Sequence, residues 1–166
     1  MNPKDEKWTP KKYLKSIRKV LGTVDLDPFS SIAANNRVKA NRIFTVEEDG
    51  FKQQWFGRVF ANPPYSRGNL NRAVDKIDYE WTTNFHFLEG IFLFPNSTDT
   101  KWFQYLWSFP LCFTDHRICF INGWTLRHTI EKNPENGSVF AYLGSHSHKF
   151  YEEFKQYGHI VFPKGD

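Results

Sequence analysis

The 166-residue chain contains two cysteines, a single methionine and no long apolar segment. Cys112 and Cys119 give neither a disulfide framework nor the ligand spacing of a metal site, so we expect no metal. The apolar runs, such as residues 91–94, are far too short to cross a bilayer, so we expect no membrane partner. No apolar segment follows the N-terminal methionine, which argues against a signal peptide, and the low cysteine content fits a reducing cytoplasm.

The sequence also lacks internal repeats, low-complexity tracts and recognisable linkers. A chain of this length without linkers predicts a single domain over residues 1–166. Hydrophobic residues make up 40% and charged residues 24%, which is typical of a folded globular protein and argues against disorder. Aromatic residues are abundant at 18%, with 17 phenylalanines, and we expect most phenylalanines to pack in the core.

Acidic residues are scarce in the N-terminal half, so the net charge of +4 is unevenly distributed. Residues 1–20 hold seven lysines and arginines against Asp5 and Glu6, and residues 31–72 hold seven against three acidic residues. From residue 73 onward, acidic residues are in excess. A basic N-terminal half favours binding to a polyanion such as nucleic acid, and a solvated, lysine-rich surface is the alternative.

Apolar periodicity predicts alternating strands and helices through the first two thirds of the chain. Residues 10–21 form a helical pattern that Thr9 can cap and Gly22 can end. The unbroken apolar run 90–94 is typical of a strand buried on both faces, as in a parallel sheet. We therefore predict an α/β fold with a compact, mostly parallel sheet and helices on both faces. Further predicted strands are 23–28, 42–45, 58–61, 111–113, 117–121, 138–143 and 159–162. A second helix begins after a cap at Ser30 or Ser31 and ends near Val38. Further predicted helices are 70–81, 101–107 and 150–157.

Three polar segments, residues 27–31, 47–50 and 62–65, follow three consecutive predicted strands. The carboxyl ends of parallel strands meet at one edge of a sheet, where ligands bind in open α/β folds, so these segments should lie close together. Carboxylates at this edge can accept hydrogen bonds from ribose hydroxyls or from an amino group. The pattern therefore indicates a site for a cofactor that contains a nucleoside.

The last of these segments, Asn62-Pro63-Pro64-Tyr65, suits methyl transfer to a planar amino nitrogen. The exocyclic nitrogen of adenine or cytosine is a poor nucleophile because its lone pair is delocalised into the ring. The Asn62 side-chain carbonyl and the Pro63 backbone carbonyl can accept its two protons, and consecutive prolines hold the backbone carbonyl in a fixed direction. Tyr65 offers a flat face on which an extruded base can stack. A strand-terminating proline turn beside a core tyrosine is the purely structural alternative.

The chain resembles the phage-type DNA N6-adenine methyltransferases, the small Dam-like family of phages and prophages. The matches to this family run in order along nearly the whole chain. The Asn-Pro-Pro-Tyr motif is fairly specific, whereas the other pieces count because of their order. The matching pieces are Trp8-Thr9-Pro10, Asp25-Leu26-Asp27-Pro28-Phe29-Ser30-Ser31, Asn35, Phe44-Thr45, Glu48-Asp49-Gly50-Phe51, Trp55, Gly57-Arg58-Val59, Asn62-Pro63-Pro64-Tyr65-Ser66, Asn96-Ser97-Thr98-Asp99-Thr100, Trp102-Phe103, Arg117-Ile118-Cys119-Phe120 and Gly137-Ser138.

The resemblance implies a Rossmann-like class I methyltransferase sheet, S-adenosylmethionine as methyl donor, and double-stranded DNA with the target adenine flipped into the site. It also implies a cytoplasmic enzyme of a bacterial host, encoded by a phage or prophage. Asp49 would contact the adenine or ribose of the cofactor, although Glu47 or Glu48 could take the ribose instead. Residues 27–29 would form the cofactor loop, but they lack the Gly-x-Gly of many methyltransferases. The implied catalytic residues are Asn62, Pro63, Pro64 and Tyr65, and the implied cofactor-binding residues are Trp8, Thr9, Pro10, Asp27, Pro28, Phe29, Ser30, Asp49 and Asn62.

The loops 66–72 and 122–137 are the expected DNA-facing segments, with Arg67, Arg72 and Arg127 as DNA-binding residues. The chain has little room for a separate target-recognition domain, so we expect sequence specificity to be low or to depend on a dimer. Both a monomer and a homodimer fit these observations. Other acceptors with a planar amino nitrogen are cytosine N4, adenine in RNA and a protein glutamine. The alternative outside catalysis is a nucleic-acid-binding module that retains the fold.

Overall fold

The computed structural model describes residues 5–66, 68–125 and 127–164. Within these ranges, none of the helices combines the length and the apolar character that a bilayer span requires. The helices are α1 (Lys11–Leu21), α2 (Ile32–Val38), α3 (Asn69–Thr83), α4 (Phe103–Leu106) and α5 (Ser147–Phe154). The strands are β1 (Lys7–Trp8), β2 (Leu26–Asp27), β3 (Arg42–Ile43), β4 (Gly57–Ala61), β5 (Phe87–Pro95), β6 (Leu111–Thr114), β7 (Ile121–Asn122), β8 (Ser138–Leu143) and β9 (Gly158–Val161).

Seven of these strands form one sheet in the order β3-β2-β4-β5-β8-β6-β9. Strands β3, β2, β4 and β5 pair in parallel. Strand β8 is antiparallel to both β5 and β6, so β6 runs in the same direction as the parallel group. Strand β9 is antiparallel to β6, which leaves five of the seven strands pointing one way. The sheet is therefore mostly parallel and Rossmann-like, as predicted.

Strand β5 explains why an unbroken apolar run predicted burial on both faces. Successive side chains of a strand point to opposite sides of the sheet. Ile91 and Leu93 pack in one hydrophobic cluster with residues of α1 and α5. Phe92 and Phe94 pack in a second cluster with residues of α3 and α4. Helices thus cover both faces of the sheet, and these phenylalanines are core residues, as predicted.

Short-range signals in the sequence identify several element ends correctly. Ser31 caps α2, because its side-chain oxygen accepts a hydrogen bond from the backbone N–H of Ala34 at 3.1 Å. Gly22 follows α1 with a φ of 79°, a conformation that glycine adopts without strain. The other predicted strands and helices are present with boundaries shifted by a few residues, apart from the segment discussed next.

Two local predictions are wrong. Helix α1 begins at Lys11, and Pro10 rather than Thr9 occupies the capping position, where its carbonyl accepts the first helical N–H bond. The segment 117–121 is a strand only from Ile121 onward, because its partner is β1 at the other end of the chain. Such pairing depends on tertiary structure, which local propensity does not record.

Candidate active site

A cleft with a volume of about 840 Å³ lies at the carboxyl ends of β2, β3 and β4. Residues that directly follow these strands line it, namely 28–31 after β2, 44–47 after β3 and Asn62 after β4. A Cβ atom on Gly50 would overlap the carbonyl oxygen of Pro28, so only glycine allows these two segments to approach so closely. The segments that the sequence predicted to converge therefore form one site.

Most of the residues that the resemblance assigns to the cofactor lie in this cleft. Eight of the nine line it, and the exception is Pro10, which precedes α1. In the predicted catalytic motif, Asn62 and Pro64 line the cleft, whereas Pro63 and Tyr65 lie outside its described lining. The eight lining residues are Trp8, Thr9, Asp27, Pro28, Phe29, Ser30, Asp49 and Asn62.

The three predicted DNA-binding arginines have different positions. Arg72, on the first turn of α3, lines the cleft. Arg127 is exposed on the 122–137 loop, outside the described lining of the cleft. Arg67 lies outside the described residues. Of the two predicted arginines that the structure describes, the cleft therefore contains one.

Asn62 is held by its nitrogen, which leaves its oxygen unpaired. Strand β4 ends at Ala61 because Pro63 and Pro64 cannot continue a hydrogen-bonded ladder, and this places Asn62 at the edge of the sheet. The Asn62 Nδ2 donates a hydrogen bond to the backbone carbonyl of Lys7 at 2.8 Å. In the part of the chain that the structure describes, the buried Oδ1 of Asn62 has no hydrogen-bond partner. A buried acceptor without a partner costs about 1–3 kcal/mol, so a bound amino group that reached this oxygen would be stabilised.

Tyr65 is fixed by its hydroxyl group at the end of β5. The hydroxyl donates to the backbone carbonyl of Leu93 at 3.2 Å, and burial raises the pKa of Tyr65 above its usual value. The ring also meets Phe120 edge to face, with centroids 6.4 Å apart. Tyr65 is therefore a rigid, neutral aromatic side chain, whose proposed stacking on a base stays a prediction.

Asp27, the last residue of β2, is a buried acid in the cleft wall. Its Oδ1 accepts a hydrogen bond from the backbone N–H of Phe29 at 3.2 Å. Burial raises the pKa of Asp27 to about 7, against the smaller opposing effect of this hydrogen bond. The charge of the cleft therefore changes close to neutral pH.

The three carboxylates of the acidic turn after β3 differ in their positions relative to the cleft. Glu48 accepts a hydrogen bond from the backbone N–H of Thr45 at 3.0 Å and forms an ion pair with Arg42. Glu47 and Asp49 line the cleft, and Asp49 has a φ of 54°, which turns the chain there. The geometry thus makes Glu47 and Asp49 better placed than Glu48 to meet a ligand.

An aromatic wall beside Asp49 joins the predicted Phe29 to Phe51, which was not among the predicted site residues. Phe29 and Phe51 both line the cleft, with ring centroids 4.5 Å apart. The Arg72 guanidinium lies 4.1 Å from the Phe51 ring centroid, within cation–π distance. The sequence signal for Phe51 was its place directly after the acidic turn.

The N-terminal strap, which we define as residues 5–8, was predicted only at Trp8. Asp5, Glu6 and Lys7 line the cleft alongside the predicted Trp8. Strand β1 within the strap pairs antiparallel with β7, forming a two-stranded ribbon separate from the main sheet. Because this pairing joins distant parts of the chain, only the motif at Trp8 pointed to the strap.

A family model and a solved structure are both similar to the chain. A family model described as DNA N-6-adenine-methyltransferase (Dam) matches residues 1–154. The chain is similar to the solved structure of a dimethyladenosine transferase from Plasmodium falciparum, with 12% identity and a TM-score of 0.45. That similarity covers 86% of this chain and 64% of the other, so the chain spans less than two thirds of that protein. No curated protein matches the chain. Because the family model covers nearly the whole sequence, the chain belongs to the DNA N-6-adenine-methyltransferase (Dam) family, as its motifs predicted.

Proposed function

We propose that the protein transfers a methyl group from S-adenosylmethionine to the N6 amino group of adenine in double-stranded DNA, with the base flipped into the cleft. The observation that carries this proposal is the buried Oδ1 of Asn62, which is unpaired within the described residues of a Dam-family chain. What this oxygen lacks is an N–H donor, and the adenine amino group brings two. Since the oxygen is buried, side chains around it must shift as the base enters, which fits a gated reaction.

The Asn62-Pro63 carbonyls are the proposed acceptors for the two amino protons. Hydrogen bonds to both carbonyls favour a pyramidal nitrogen, whose lone pair is then available, and they stabilise the positive charge that develops on it. S-adenosylmethionine, when bound, supplies a methyl group that its sulfonium has already activated. The task of the protein is therefore to position and orient the nitrogen.

The cleft residues fit the chemistry of S-adenosylmethionine. The volume of about 840 Å³ lies within the usual range of ligand pockets. Glu47 and Asp49 offer carboxylates for ribose hydroxyls, and Phe29 and Phe51 offer apolar ring surface for an adenine. We therefore assign the cofactor to this cleft and retain the cofactor-binding residues that the resemblance implies.

Family membership favours adenine in DNA over the other acceptors with a planar amino nitrogen. Cytosine N4, adenine in RNA and a protein glutamine would use the same two carbonyls. On the same basis we place the enzyme in the cytoplasm of a bacterial host, encoded by a phage or prophage, as a monomer or homodimer. The basic N-terminal half supports DNA as the partner.

Transfer of a labelled methyl group tests the proposal directly. DNA incubated with the protein and methyl-labelled S-adenosylmethionine should acquire label that is recovered as N6-methyladenine after digestion to nucleosides. Label recovered as N4-methylcytosine, or found in RNA or protein but not in DNA, would overturn the assigned acceptor. The cofactor at 100 times its Kd should also stabilise the native state by about 2.7 kcal/mol, measured as a rise in Tm. A protein with neither label nor a rise in Tm would favour the alternative, a non-catalytic nucleic-acid-binding module.

Arg72→Ala should weaken DNA binding by removing one contact to phosphate. We expect the slope of log Kd against log salt concentration to decrease by about one, as for the loss of a single counterion-releasing contact. Arg72→Lys keeps the charge and should retain most of the slope, although it loses the planar contact with Phe51. Lys149→Ala, an exposed charge change on α5, serves as the control. An unchanged slope in Arg72→Ala would remove Arg72 from the DNA interface.

A further inference from the structure

The N-terminal strap bonds to two walls of the cleft through side chains. The Asp5 Oδ1 accepts a hydrogen bond from the backbone N–H of Ser66 at 3.0 Å, just after the catalytic motif. The Glu6 Oε1 accepts one from the Ser31 hydroxyl at 2.9 Å, at the start of α2. The strap is therefore tied both to the predicted base site and to the predicted cofactor loop.

The Lys7 backbone carbonyl determines which end of the Asn62 amide is free. The carbonyl accepts a hydrogen bond from Nδ2 at 2.8 Å, so Oδ1 is left as the unpaired end. If the amide turned over, Oδ1 would face the Lys7 carbonyl, and two acceptors at that distance repel. The amide would then present N–H groups to an amino group that needs acceptors. A single backbone contact thus selects the orientation that suits methyl transfer.

The strap is in turn anchored to the loop that contains β7. The Lys7 Nζ contacts Glu131 at 2.9 Å and Asn122 at 3.1 Å. The Trp8 ring lies against His128, with centroids 4.4 Å apart. A Cβ atom on Gly123 would overlap the Trp8 indole, so the strap packs directly against the loop backbone.

We propose that the N-terminal strap is a positioning element for methyl transfer, because its Lys7 carbonyl holds the Asn62 amide with the oxygen available to the target amine. The proposal rests on the proposed function. Lys7 neighbours Trp8, which lines the cleft, so one short segment connects the cofactor site to the orientation of the acceptor. Displacing the strap should therefore slow the transfer step even when cofactor and DNA are saturating.

Gly123→Ala is the first test, since its added methyl group must displace Trp8 and the strap with it. Loss of one positioned hydrogen bond of about 1.4 kcal/mol predicts a transfer rate about tenfold lower in single turnovers with cofactor and DNA saturating. The Asn62 side-chain NH₂ resonance should also move in a ¹H–¹⁵N spectrum. Lys149→Ala, an exposed change on α5 outside the described lining of the cleft, should alter neither the rate nor the resonance.

Asn62→Asp is the second test, and its pH profile separates positioning from simple acceptance. The ionised side chain of this variant presents an acceptor to the target amino group, but its other oxygen faces the Lys7 carbonyl and is repelled by it. A protonated carboxyl can instead donate a hydrogen bond to the Lys7 carbonyl. The rate relative to wild type should therefore rise as the pH falls from 8 to 5.5. If Asn62 acted only as an acceptor, this relative rate would fall over the same range, because protonation weakens an acceptor.

The outcomes distinguish this inference from the proposed function. Suppose that the wild-type protein methylates DNA and that Gly123→Ala is folded. If the variant then keeps the wild-type rate at saturation and an unchanged Asn62 resonance, the inference is overturned and the proposed function stands. A relative rate of Asn62→Asp that falls with falling pH overturns it as well, even if Gly123→Ala does not fold. A wild-type protein that transfers no methyl group overturns the proposed function and the inference together.

Discussion

Replacing Asn62 with alanine should lower the rate of methyl transfer by about 100-fold or more, since a preorganised group that stabilises transition-state charge contributes on that scale. The variant loses the side-chain carbonyl while the Pro63 backbone carbonyl stays. The cofactor should still raise the Tm, because the other cofactor-binding residues are unchanged. The expected defect is therefore in kcat rather than in cofactor binding.

The measurement is incorporation of labelled methyl groups into DNA at saturating S-adenosylmethionine. Asn36→Ala is a matched control, since it removes the same side chain from an exposed position on α2. Retention of wild-type activity by Asn62→Ala would refute the mechanism, whatever the product. Loss of the cofactor-induced rise in Tm would instead show that Asn62 acts chiefly in holding the cofactor.

The parts of the site that the sequence predicted are those fixed by local chemistry. Pro63 and Pro64 must end a central strand, so Asn62 had to lie at the carboxyl edge of the sheet. Ser31 caps α2 by accepting a hydrogen bond from the backbone N–H of Ala34, three residues further along the chain. The apolar run in β5 could be buried on both faces only in a sheet covered by helices. Each of these conclusions depends on residues close together in the chain.

The parts that the sequence did not predict are those fixed by distant contacts. The strap is held by β7 and by Glu131, and no local pattern in residues 5–8 reveals these partners. Glu48 and Asp49 are equivalent in the sequence, and neighbouring residues engage both carboxylates. The structure separates them because Asp49 lines the cleft, whereas Glu48 lies outside its described lining, and the cleft forms only when distant segments meet.

The free energy of unfolding of Asp27→Asn, relative to that of the wild type, should increase as the pH rises from about 4 to about 7. The buried Asp27 has its pKa raised to about 7, whereas the same side chain in the unfolded state has its ordinary value near 4. Between these values the native state holds a proton that the unfolded state has lost, so the free energy of unfolding falls as the pH rises. The contribution is complete below about pH 4, and it has been lost by the time the pH passes 7.

The size of this effect follows from the shift of roughly three pH units, which corresponds to about 4 kcal/mol across the window. Asparagine does not titrate, so the difference in unfolding free energy between variant and wild type should change by that amount between pH 4 and pH 8. Comparing the two proteins cancels the contributions of the other ionisable groups. Asn36→Ala, an exposed change on α2 that removes no ionisable group, should give a difference that is nearly constant with pH. The other ionisable groups that line the cleft are Asp5, Glu6, Lys7, Arg37, Glu47, Asp49 and Arg72.

Cofactor binding should share this dependence on pH. S-adenosylmethionine carries a sulfonium cation, and a cation bound near a carboxyl group favours its ionised form and lowers its pKa. Binding below pH 7 should therefore release a proton from Asp27, and affinity should rise as the pH increases toward 7 and level off above it, where Asp27 is already ionised. Calorimetry at pH 6.5 in buffers of different ionisation enthalpy counts the protons released. Asp27→Asn should release fewer than wild type, and equal numbers from the two proteins would show that Asp27 does not sense the cofactor.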